Sequence, residues 1–62
     1  MKITLKDGSV LEYNEAKTAG DITKDISMVL FRNATCCKIN GEVKDLRTVI
    51  VADATLEILT FD

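Results

Sequence analysis

The sequence predicts an α+β fold in which one main helix packs on one face of a mixed β-sheet. The stretch 55–61 carries apolar side chains on both faces of an extended chain, so it needs strand neighbours on both sides. Only residues 19–26 combine a helix-start signal with helical spacing of apolar residues. This helix lies between an opening hairpin and a further strand, so it must cross one face of the sheet. The compact solution places the first and last strands parallel at the centre.

The opening segment predicts a β-hairpin that turns at residues 6–9. Glu12 decides its register, because a two-residue turn would place this carboxylate opposite Ile3 on the core face, where an unpaired charge is costly. A three-residue turn with Gly8 in the left-handed conformation pairs Ile3 with Leu11 instead. We therefore predict the second register, which keeps Glu12 in water.

Thr18 is the predicted N-cap of the main helix, because Asp21 follows it at the spacing of a capping box. We predict one helix over residues 19–26, a break at Ser27, and a separate helical turn through Leu30 to Arg32. Four apolar residues recur at helical spacing and are predicted to face the sheet: Ile22, Ile26, Val29 and Leu30.

The second half of the chain predicts a strand over residues 34–39, a tight turn and a short return at Glu42-Val43. Asn40-Gly41 makes the turn, because this dipeptide accepts the positive φ angles that it requires. Leu46 and Ile50 are predicted to anchor the following connection to the core. The element order is that of a β-grasp, or ubiquitin-like, sheet, and residues 1–62 are predicted to form a single domain.

The composition of the chain limits the classes of function that it can have. The chain has 62 residues, a net charge of -2 and a sequence pI of about 4.9, so it lacks the long-range attraction that drives non-specific nucleic-acid binding. No run of about twenty apolar residues is present, and the N-terminus alternates apolar and polar residues at once, so we expect a cytosolic protein without a membrane span.

No catalytic or metal-binding pattern is present in the sequence. It has no histidine, no glycine-rich phosphate loop and no nucleophile beside a base. Cys36 and Cys37 are adjacent, so their side chains leave opposite faces of a strand; we expect reduced thiols, neither a disulfide nor a metal site. The isolated chain is predicted to be no enzyme and to need no cofactor.

Several motifs together resemble a TGS domain, over nearly the whole chain: Asp7-Gly8-Ser9, Thr18 with Asp21-Ile22, Lys38 to Val43, Asp45-Leu46, and Leu56 to Thr60. The resemblance is strongest to the module at the N-terminus of bacterial threonyl-tRNA synthetases. It implies a non-catalytic accessory role beside a neighbouring domain and near tRNA, with catalysis elsewhere. The chain departs from the family at Lys6 and Val49, where proline is frequent, and at Cys36 and Cys37, where small residues are usual.

The sheet face away from the helix is the predicted interaction surface. In the first hypothesis this face docks on a neighbouring domain of the parent chain through an apolar patch of Val10, Leu59 and Phe61. In the second, the chain is a ligand- or RNA-binding module of a stringent-response enzyme or a GTPase and contacts tRNA or a nucleotide by itself. The candidate contacts are then Lys2, Lys6 and Lys38, or alternatively Lys44 and Arg47 after the Asn40-Gly41 turn.

Overall fold

Five strands form one mixed sheet in the computed structural model, which describes residues 1–60. They are β1 (Lys2–Leu5), β2 (Val10–Glu12), β4 (Ala34–Ile39), β5 (Glu42–Lys44) and β7 (Ala54–Thr60). Their spatial order is β2-β1-β7-β4-β5. Strand β7 is central, runs parallel to β1 and is antiparallel to β4. The predicted β-grasp arrangement is confirmed.

The opening hairpin has the register that the sequence predicts. Ile3 pairs with Leu11, and the Tyr13 N–H donates to the Met1 carbonyl over 2.9 Å. Gly8 has a φ of 92°, in the left-handed region that a side chain would disfavour. Glu12 is exposed, so the structure avoids a buried carboxylate in the way we expected.

The two helices begin and end close to the predicted residues. Helix α1 spans Ala19–Ile26, and the Asp21 N–H donates to Thr18 Oγ1 over 3.0 Å. Ser27 ends α1 and also begins helix α2 (Met28–Asn33), where its Oγ accepts a hydrogen bond from the Leu30 N–H at 3.2 Å. One serine therefore both separates the two helices and caps the second.

One part of the predicted helical stripe is wrong. Ile22 is fully buried, but Ile26 is 37% exposed and Val29 is 66% exposed. The prediction carried one helical phase across Ser27, whose extended backbone, with φ −168°, starts α2 in a new direction. Val29 consequently points into solvent instead of facing the sheet.

A second, two-stranded sheet was not predicted. Strand β3 (Lys17–Thr18) pairs antiparallel with β6 (Val49–Ile50). The β5–β6 connection also lies against the start of α1. The Gly20 and Ala19 N–H groups donate hydrogen bonds to the carbonyl oxygens of Leu46 and Thr48, respectively. A β-carbon at Gly20 would lie 3.2 Å from the Leu46 oxygen, so a glycine permits this approach.

The core lies between the large sheet and α1. Its buried apolar members come from both layers: Ile3, Ala19, Ile22, Cys37, Ile50 and Leu56. Leu46 packs against this cluster and Ile50 belongs to it, which confirms both predicted anchors. Thr23, a buried polar residue, donates its hydroxyl to the Ala19 carbonyl over 2.7 Å.

Candidate functional site

The strand registers determine which side chains share the open face of the large sheet. Residues that lie directly opposite each other on neighbouring strands point to the same side. Ile3, Cys37 and Leu56 point to the core, so the alternate residues point away from it. The open face carries Lys2, Thr4, Val10, Glu12, Cys36, Lys38, Val43, Thr55, Glu57 and Leu59.

The register does not bring the proposed apolar patch together. Thr4 lies beside both Val10 and Thr55, whereas Leu59 is four residues further along β7 and pairs with Cys36. This spacing corresponds to about 13 Å along β7, and two strand-to-strand steps are added to it. Val10 and Leu59 are therefore separated by Lys6, Thr55 and Glu57, and Phe61 lies outside the described residues.

Four of the five candidate cations lie near a carboxylate. The ion pairs join Lys2 to Glu12 (4.0 Å), Lys6 to Glu57 (3.8 Å), Lys44 to Glu42 (3.4 Å) and Arg47 to Asp45 (3.2 Å). Hydrogen bonds from Arg47 also lower the pKa of Asp45 below its ordinary value. Among residues 1–60, the Lys38 ammonium group has no carboxylate oxygen within 4.0 Å, although Glu57 lies opposite Lys38 in the register. Lys38 is half-buried on β4, next to the central strand.

The five cations do not form one site. Lys2 on β1 and Lys38 on β4 both belong to the open face, and β7 lies between these two strands. Lys44 pairs in register with the buried Cys37 and so shares the helix-side face, while Arg47 lies in the β5–β6 connection. A single ligand of small size would not contact all of them.

The two cysteines are free thiols on opposite faces, as predicted. Cys37 is fully buried, and this burial, with smaller contributions from Cys36 and Asp45, raises the pKa of its thiol. A raised pKa keeps the sulfur protonated and unreactive. Cys36 is half-buried beside Leu59 on the open face.

The start of α1 is not available to an anion. Its first three N–H groups, those of Ala19, Gly20 and Asp21, donate to the Thr48 carbonyl, the Leu46 carbonyl and Thr18 Oγ1. A phosphate would have to break these bonds to reach the positive end of the helix. Over the described part of the chain, no three residues among histidine, cysteine, aspartate and glutamate converge as metal ligands.

A second apolar surface, which the sequence analysis did not identify, lies where α1 meets α2. A cleft of about 210 Å³ has an apolar wall of Leu5, Ile26, Leu30, Leu56 and Ile58. Beside it, Met28 is 51% exposed and Val29 is 66% exposed. The signal in the sequence was the Ser27 break, because it turns the apolar residues that follow out of the α1 stripe. We call this surface the α2 cleft.

No helix within residues 1–60 is long and apolar enough to cross a membrane. A profile of the TGS domain matches residues 1–60. Over all 62 residues, the chain is 53% identical to a threonine–tRNA ligase of Acetivibrio thermocellus, 50% to one of Clostridium acetobutylicum and 47% to one of Petrotoga mobilis. The chain spans about a tenth of the length of each relative. With the β-grasp sheet and the profile match over nearly its whole length, the chain belongs to the TGS domain family.

Proposed function

We propose that this chain is a non-catalytic accessory module of a threonine–tRNA ligase, which packs on an adjacent domain of that protein and assists its handling of tRNA. The observation that supports this proposal most strongly is that about half of the residues, over the whole chain, are identical to those of such ligases. It favours this parent over a stringent-response enzyme or a GTPase. A cytosolic location belongs to the same proposal.

The chemistry of the described residues supports a role without catalysis. The chain has no histidine, its buried cysteine has a raised pKa, and the N–H groups at the start of α1 are bonded within the domain. These features leave no activated nucleophile and no helix-end site for a transferring phosphate. The joining of threonine to tRNA would then take place in the rest of the protein.

Contact with tRNA, where this module makes it, is best supported at Lys38. Within residues 1–60, the Lys38 ammonium group makes no ion pair, although Glu57 lies opposite Lys38 in the register, so a phosphate would displace no ion pair there. Lys2 and Lys6 would first have to leave Glu12 and Glu57. The overall charge of -2 opposes a large basic footprint. We therefore propose a local contact rather than an extended RNA-binding surface, and no contact of this kind from Lys44 or Arg47.

The test uses the full-length ligase and a form that lacks residues 1–62. We expect the truncation to leave kcat for threonine transfer within about twofold and to raise KM for tRNA, because only binding is lost. Lys38→Gln in the full-length protein should reproduce part of the rise in KM, and Lys2→Gln serves as the matched control. A collapse of kcat on truncation would contradict a non-catalytic role, and an unchanged KM would contradict assistance with tRNA.

A further inference from the structure

Helix α2 presents an unusual amount of apolar surface to solvent. Four of its six residues are apolar, Met28 to Phe31, yet none of the six is buried. Phe31 is half-buried, beside Gly20 and under the Lys24 ammonium group at 4.7 Å from the ring centroid. Met28 and Val29 cover nothing in this way, and both are more than half exposed. Exposed apolar residues that follow one another on a helix in this way are a feature of contact sites.

The α2 cleft adds depth to this surface. Ile26 and Leu30 form one wall, and Leu5 and Ile58 of the sheet form the other. Lys6, Asp7 and Glu57 lie at its rim, so the centre is apolar and the edge is polar. This is the arrangement of a small protein–protein contact, in which one apolar side chain enters a pocket that polar residues surround.

The end of β7 indicates what covers the cleft. Strand β7 reaches its last described residue, Thr60, opposite Ala34, which directly follows α2. The parallel strand β1 starts at the other end of the sheet, where the Lys2 N–H donates to Asp53. In the longer relatives, about nine-tenths of the protein lies outside the matched region. A chain that continues beyond β7 leaves the domain next to α2.

We propose that the α2 cleft is the docking site for the domain that follows this module in the ligase. An apolar side chain of that domain enters the cleft between Ile26 and Leu30. The inference rests on the proposed function, because it requires a ligase as parent. It assigns the docking role to the α2 cleft in place of the open sheet face. The open face is the weaker candidate, since charged residues separate Val10 from Leu59.

The experiment uses the full-length ligase and a protease that cuts after glutamate, so that new lysines create no cleavage site. The rate at which the protease releases this domain reports how often it separates from its neighbour. One variant carries Met28→Lys with Val29→Lys. The matched control carries Val10→Lys with Val43→Lys, which change side chains of similar exposure on the open face.

We expect the α2 variant to release the domain about tenfold faster than the unaltered ligase and the control variant to stay within about twofold. Faster release from the control variant alone would contradict the α2 cleft as the docking site. The docking role would then remain, but on the open face. If neither variant speeds release, or both do equally, the cleft is not the contact. Rapid release already from the unaltered ligase would overturn the docking role as well.

A cleft that joins two copies of the domain would also bury α2. Light scattering on the same variants distinguishes this occupant, because only a contact between copies would change the oligomeric state. A fall in mass for the α2 variant, with no change in the release rate, would overturn the proposal in favour of a second copy.

Discussion

Tyr13 connects the opening hairpin to the main helix. Its hydroxyl donates a 2.8 Å hydrogen bond to Asp25 Oδ2, and its backbone N–H bonds to Met1. Partial burial, then the hydrogen bond to Asp25 and the negative charge of that carboxylate, raise the pKa of Tyr13 to about 12. The hydroxyl therefore holds its proton more tightly in the folded chain than in the unfolded chain, whose tyrosine has an ordinary pKa.

This difference predicts how the stability of the domain depends on pH. Because the folded pKa is the higher one, the contribution of Tyr13 is complete below pH 10 and is lost as the pH rises from about 10 to 12. The chain has one tyrosine and no tryptophan, so absorbance at alkaline pH follows this group alone. Asp25→Asn should lower the midpoint of the absorbance change towards the ordinary value.

Thermal unfolding provides the second measurement. The melting temperature of Tyr13→Phe should fall less between pH 9 and pH 11 than that of the unaltered chain, because the variant has no phenol to titrate. A midpoint near 10 for both the unaltered chain and Asp25→Asn would show that the hydrogen bond does not hold the proton.

At the scale of elements, Asn40 joins the β4–β5 hairpin to the central strand. Its backbone has a φ of 52°, and Gly41 follows with a φ of 85°, so the two residues make the predicted tight turn. The Asn40 side-chain oxygen also accepts a hydrogen bond from the Thr55 N–H at 3.0 Å, and the backbone N–H of Asn40 donates to the Thr55 carbonyl. The turn thus fixes where β7 begins.

We expect Asn40→Ala to destabilise the domain by about 1–2 kcal/mol, because it loses the side-chain acceptor and because alanine adopts the left-handed region less readily than asparagine. Asn40→Gly relieves the backbone but still lacks the acceptor, so it should fall between alanine and the unaltered chain. Asn40→Asp keeps both properties and serves as the control. Urea unfolding gives the three values, and equal losses for alanine and aspartate would show that the bond to Thr55 contributes nothing.

The elements that the sequence predicted well carry their signals locally. Thr18, Ser27 and Asn40-Gly41 each determine a boundary through a side chain or backbone conformation within a few residues. Strands β3 and β6 have two residues each, too few for a period to show. The exposure of Val29 depended on the direction that α2 takes after Ser27, which no local spacing reveals.

The candidate site was less predictable than the fold, because it depends on which strands become neighbours. The alternation of residues correctly assigned Lys38 and Leu59 to the open face. It did not show how far apart Val10 and Leu59 lie along the strands, or that the side chains of Lys2 and Lys6 reach carboxylates. The α2 cleft combines residues from four separate segments, Leu5, Ile26, Leu30 and Ile58. Only the assembled fold brings them together.

At the scale of the whole molecule, one strand holds the two sides of the sheet together. Strand β7 pairs with both β1 and β4. Its Leu56 is 2% exposed and belongs to the core of six buried apolar residues found within residues 1–60. A domain of this size buries a smaller share of its surface than larger domains do. It should consequently unfold as one unit when this centre is disturbed.

Leu56→Ala tests this dependence. Removing a buried leucine side chain costs about 2–5 kcal/mol, whereas small domains are stable by only about 5–15 kcal/mol in total. We therefore expect the urea midpoint of the isolated domain to fall steeply, with helix and sheet signals lost together. Val43→Ala, at a position that is 62% exposed on β5, should shift stability by no more than about 0.5 kcal/mol. If Leu56→Ala instead unfolds β7 while α1 keeps its structure, helix and sheet do not share one core, and the central position of β7 is not what stabilises the domain.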